Sequence, residues 1–346
     1  MRNLKSLVGK HQVIAFFTLT LGMNFLLGIP GIVLVSLSQP FLRIVGFYLL
    51  RIAIFSPVMS GIFITWLSDI RREGGRRAAR WIIFGAVGVL AWIVGALQMK
   101  STMPPQGGLS ILSIILLNGP LALLPAYVFS RALSSSLGLR KYLITLIKPR
   151  GHIAWYIIAL VTFPVIHILG NLIMHILGGQ SFGTQGFSLN LMWIAVITFL
   201  SVFFFTGGIN EESGWRGFAL LKLQGRFSPI LAGLIIWSCH AVWELNGDIF
   251  MSLFMGGQVS WPVLSRLVWM PSWTILFIWV YNRTKGSILA PAIFHASMNM
   301  MNPLMGVLPA TNAGTILLIL FALFAVFYDR MWKKIPGDDL LVSHEP

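Results

Sequence analysis

One cysteine, Cys239, stands alone in 346 residues. That excludes an internal disulfide and any structural zinc site built on cysteine thiolates. Acidic side chains are scarce as well, ten Asp and Glu against 25 Lys and Arg. Charged residues of both signs make up only 10% of the chain, where a soluble globular chain carries about 25%. A water-soluble fold is excluded on that ground. Long linkers, low-complexity tracts and internal repeats are missing too, which removes solenoids and offers no sign of the paired repeats of many transporters.

What is present is apolar, with 56% of residues hydrophobic. Ten apolar runs lie near 13–36, 42–68, 81–98, 109–130, 153–177, 189–212, 229–246, 264–281, 287–306 and 313–329. About 20 such residues cross a bilayer as a helix, so each run is read as one span. The first is too long and too weakly bounded for a cleaved leader and is taken as a retained helix. With a cytoplasmic N-terminus, the inner loops hold 21 of the 25 Lys and Arg, all except Arg43, Arg51, Lys100 and Arg266. That asymmetry follows the positive-inside rule. It also assigns the net charge of +15 to lipid headgroups rather than to nucleic acid.

The expected fold is all-α, a polytopic transmembrane helical bundle of about ten helices (eight to ten) with both termini cytoplasmic. Residues 1–150 form an accessory four-helix membrane region, 151–330 the core, and 331–346 a cytoplasmic tail. The stretches 99–108 and 178–187 read as outer loops. The protein is read as multi-pass in a bacterial plasma membrane.

Against this apolar background, a few polar residues stand out. Six carboxylates fall in loops or tails, and Asp248 is expected in an outer loop, leaving Glu211, Glu212 and Glu244 on helices. An ionisable group inside a membrane is costly, which makes each a functional candidate. In "GGINEESGWRG", Glu212 and Arg216 are four apart and can pair on one helix face. Glu211 lies ~100° around the helix from Glu212 and can face a cavity. His240 lies ~16 Å along a helix entering at Pro229, with Trp237 and Trp243 expected to flank it and Glu244 one turn on. His295, Asn299 and Asn302 fall along one face of the helix after "NRTKGS", with His295 ~12 Å deep. Read singly, each place has a plainer alternative: a helix-end marker, a core histidine bonded to a carbonyl, polar glue between helices. Together, at a common depth, they amount to a kit for hydrolysis. A carboxylate removes a proton from water, a histidine positions that water, and His and Asn donors stabilise an oxyanion.

At these residues the chain resembles the CAAX-protease and bacteriocin-processing (CPBP, or Abi) family of intramembrane proteases. Glu211, Glu212 and Arg216 match its Glu-Glu-x-x-x-Arg motif, His240 its second-motif histidine, and His295 with Asn299 its His-x-x-x-Asn motif. The ordered motifs lie within residues 207–303. Two positions depart from the family pattern: Ile236 replaces an aromatic residue four before His240, and no proline follows that histidine. The resemblance implies catalysis by Glu211, His240, His295 and Asn299, with Glu211 as general base acting with His240, and His295 and Asn299 as the oxyanion pair. Glu212 and Arg216 would hold the helix and tune charge. It implies an intramembrane endopeptidase of the CAAX-prenyl-protease type, acting near the cytoplasmic face on a peptide or protein, lipidated or membrane-embedded. No cofactor is favoured. Zinc stays an alternative, with Glu211, His240 and His295 as its ligands. Two other classes remain open, a non-proteolytic scaffold or bacteriocin-immunity protein retaining the motifs, and a proton-coupled transporter using the same residues as a relay.

Overall fold

Each of the ten apolar runs folds as a helix or a broken pair of helices in the computed structural model. The structure describes residues 8–336 apart from 70, 72–73, 75, 103–110, 180–181, 184–185, 256–265 and 268. Much of the expected outer loops at 99–108 and 178–187, and the tail beyond 336, lie outside the described residues. In chain order the helices are α1 (Gln12–Ser36), α2 (Pro40–Ile54), α3 (Ser56–Ser68), α4 (Arg77–Thr102), α5 (Ile111–Arg131) and α6 (Leu137–Leu143). There follow α7 (Ala154–Ile176), α8 (Leu189–Gln224), α9 (Pro229–Met255), α10 (Met270–Arg283), α11 (Leu289–Met300) and α12 (Asn312–Tyr328).

Among the described residues, α1, α4, α7, α8 and α9 are long and apolar enough to cross a membrane, and the α2–α3 pair makes a sixth if it is one span. The expected ten spans are therefore not reached by length and composition. With 14 residues α10 is about 21 Å long, and α11 has only 12, both short of the ~30 Å hydrocarbon core. Both bury much of their surface inside the protein: Leu276, Ile278, Ala292 and Phe294 are fully inaccessible. Large apolar side chains face outward instead on the long helices, with Leu26, Ile82, Ile157 and Leu189 all exposed. That inverted pattern suits a lipid solvent. The protein is a multi-pass integral membrane protein.

Two irregularities position the polar residues. The run 42–68 bends by 57° where α2 meets α3. Pro57, in the first turn of α3, has no N–H to continue the ladder. The broken end leaves the Ile54 carbonyl available, and Asn210 Nδ2 donates to it at 3.1 Å. The second irregularity is α8 itself, 36 residues interrupted by two π-helical segments, Val202–Thr206 and Ser213–Leu220. Between them a single α turn, Gly208–Glu212, carries both glutamates. Gly214 lets α8 meet Pro57 of α3 at backbone distance, and Tyr142 of α6 donates to the Ser213 carbonyl at 2.8 Å.

Candidate active site

Glu211 and Glu212 are both buried, 4% and 0% exposed, and each has its own partners. Arg216 Nη1 lies 3.0 Å from either oxygen of Glu212, so the expected four-residue pair forms. The guanidinium also sits 4.3 Å from the centre of the Phe277 ring, a cation–π contact that replaces water on its face. Glu212 does more than neutralise Arg216. Its Oε1 also lies 2.8 Å from His295 Nδ1, which donates to the carboxylate. That bond turns the other ring nitrogen, Nε2, toward Gly207, where only a residue without Cβ leaves it room.

Glu211 takes a different direction, as its offset from Glu212 predicts. Its Oε2 lies 3.0 Å from His240 Nε2. The imidazole is stacked on Trp215, ring centres 4.9 Å apart, and packs against Trp243 at 5.7 Å. Trp237 is not part of this surround: its Nε1 donates instead to the Arg266 carbonyl at 3.2 Å. Trp215 takes its place because the π-helical segment Ser213–Leu220 carries that side chain toward α9. Beyond His240, Glu244 Oε1 is 3.7 Å from Nε2, and Glu244 Oε2 is 3.1 Å from Arg266. Arg266 forks onto Asp248, at 2.7 and 2.5 Å. Asp248 is thus not in a loop: α9 continues to Met255, and the carboxylate is buried as a partner of Arg266.

A cavity of about 510 Å³ opens beside these groups. Glu211, His295 and Asn299 line it, and His240 lies behind Glu211, off its wall. Asn299 is lightly held, with Nδ2 3.3 Å from the His295 carbonyl and Oδ1 accepting from Asn302 at 3.3 Å. The four candidates therefore gather at one place, although Glu211 and His295 are not bonded to each other. His295 is not among the described residues close enough to share a cation with Glu211 and His240; its Nδ1 is held by Glu212 and its Nε2 faces Gly207. The groups close enough to share a cation are Glu211, His240 and Glu244, with one ligand atom from each within 4.8 Å of the others. Arg266 and Trp215 had no clear signal in the sequence, whereas Glu244 already stood out as a helix carboxylate one turn beyond His240.

Residues 193–301 match the family model described as type II CAAX prenyl endopeptidase Rce1-like. The chain is also similar to CAAX prenyl protease 2 of Methanococcus maripaludis, with 25% identity over 194 residues that span 50% of this chain and 68% of that protein. All the gathered polar residues from Glu211 to Asn299 fall inside the matched region.

Proposed function

The chain carries an Rce1-like domain of the type II CAAX prenyl endopeptidase family, and from that premise we propose that it is an intramembrane endopeptidase acting on prenylated C-terminal peptides. The observation that carries the reading is the buried Glu211–His240 contact of 3.0 Å, with Glu211 on the wall of a cavity that His295 and Asn299 also line. In this reading Glu211 removes a proton from water, and the water oxygen attacks the peptide carbonyl carbon. Charge on the carbonyl oxygen is met by an Nε2–H of His295, whose Nδ1–H stays on Glu212, and by the Nδ2–H of Asn299. The C–N bond then breaks, and Glu211 returns its proton to the leaving nitrogen. His240 holds the Glu211 carboxylate in place, and Glu212 holds His295.

The water is taken as activated by the carboxylate alone, because the Glu244 needed to complete a cation set is already tied to Arg266. Metal analysis of the purified protein checks this point. Stoichiometric zinc that disappears in Glu211→Ala would reverse it. Ten spans, cytoplasmic termini and a site in the cytoplasmic half belong to the same proposal, supported by the basic loops. The central test is Glu211→Gln, which keeps size and hydrogen bonding but cannot take a proton. Cleavage of an S-farnesylated peptide is expected to fall roughly 10²- to 10⁴-fold, the usual contribution of a general base, with thermal stability retained. Wild-type turnover by the variant would remove Glu211 from the role of base, and no turnover by the wild type itself would return the chain to the scaffold class.

A further inference from the structure

Four charged side chains other than histidine line the 510 Å³ cavity: Glu211, Glu244, Arg266 and Arg51. Glu211 is engaged by His240, and Glu244 and Arg266 are engaged with each other. Arg51, on α2, has no hydrogen-bond or ion-pair partner among the described residues. Its guanidinium lies 5.2 Å from the centre of the Phe47 ring. Arginines with a structural task here are treated differently. Arg216 holds Glu212, Arg266 holds Asp248, and Arg283 holds Asp329. A cation left without a counter-charge in an apolar helical segment is expensive unless an anion or water meets it.

We infer that Arg51 receives the free α-carboxylate of the peptide substrate, so that the chain end is anchored in the cavity whose wall carries Glu211. The inference rests on the peptidase reading above. A guanidinium offers two parallel N–H donors that match a carboxylate, and such forks are strong where water is sparse. A cavity of this size takes a drug-sized ligand, hence a short chain end rather than a long polypeptide. Held at one end by Arg51, the peptide presents to Glu211 a bond at a fixed distance from its terminus. The number of residues released is then set by the span between the two side chains. Arg51 lies outside the residues matched by the family model, so the N-terminal helices contribute selectivity to a site whose chemistry lies in the matched region.

The test uses the full chain in phosphatidylcholine nanodiscs. The substrates are an S-farnesylated tetrapeptide with a free carboxylate and the same peptide as its C-terminal amide. The free acid is expected to have a kcat/KM at least about tenfold higher, carried mainly by KM, as one charge-assisted pair gives. Arg51→Gln is expected to bring the acid-to-amide ratio close to one, and Arg51→Lys to keep part of it. Equal cleavage of acid and amide by the wild type overturns the inference, as does an unchanged ratio in Arg51→Gln. If the wild type cleaves neither peptide, the peptidase reading has failed, and binding of the two peptides carrying a dansyl label decides Arg51 by the same ratios. A stability gain in phosphatidylglycerol that needs Arg51, with no acid–amide difference, assigns the residue to lipid phosphate and overturns the inference.

Discussion

Glu212 stands between two basic groups, Arg216 and His295, with no exposed surface of its own. Two charges taken out of water recover the cost only through each other, so removing one leaves the other stranded. Glu212→Gln should therefore damage the protein more than Glu211→Gln, although Glu211 is the proposed base. A loss of about 3–5 kcal/mol is expected, the usual result of breaking a buried pair from one side. Adding Arg216→Met to Glu212→Gln should restore much of that stability, because the orphaned cation is gone. Thermal unfolding of the two variants in one detergent makes the comparison. A double variant no more stable than Glu212→Gln would mean that the cost lies in the His295 bond instead. Activity should return only in part, since a neutral amide oxygen accepts from His295 Nδ1 more weakly than the carboxylate does.

At the scale of the element, α8 decides which glutamate meets which histidine. Its single α turn, Gly208–Glu212, sits between two π-helical segments, a form found mostly in short pieces at functional sites. Gly207 joins the first of these to the turn, and a Cβ there would run into the His295 ring. Its φ of −130° is open to alanine, so Gly207→Ala imposes contact rather than backbone strain. Turnover of the farnesylated peptide is expected to drop at least about tenfold, with a smaller loss of thermal stability than Glu212→Gln. Unchanged turnover would show that the His295 position is not critical. The same geometry explains what spacing could and could not reveal. Glu212 and Arg216 were legible as a pair because four residues remain one turn of contact even here. His240 and Glu211 were legible only as groups at one depth. The Glu212–His295 bond and the stacking of Trp215 on His240 depend on azimuth, and π segments change azimuth without any mark in the hydrophobic pattern. The break between α2 and α3 did leave a mark, Pro57, hidden inside a run that otherwise reads as one span.

Across the whole molecule, the division at residue 150 expected from the apolar runs and the family resemblance meets a set of bonds that cross it. Asn24 of α1 donates to the Trp243 carbonyl at 2.6 Å, and Asn246 returns a bond to the Asn24 carbonyl at 2.8 Å. Trp243, packed on His240, donates from its indole to Ser56 of α3 at 2.9 Å. Asn210, beside the two glutamates, closes the broken end of α2. Polar bonds of this kind hold helices together in lipid, where apolar association has no advantage over contact with acyl chains. Without α1 to α3, the Trp243 indole would lose the Ser56 acceptor, Asn24 would no longer tie down α9, and the cavity would lose the wall that carries Arg51. A chain limited to residues 151–330 is therefore expected to yield no monodisperse species on gel filtration and no cleavage of the farnesylated peptide. Co-expression with residues 1–150 as a separate chain should recover part of both, since the linking bonds are donated by side chains across the contact and do not pass through the junction. A monodisperse, active 151–330 fragment would mean that the first helices are a separate unit. Arg51 would then act on a site that functions without it.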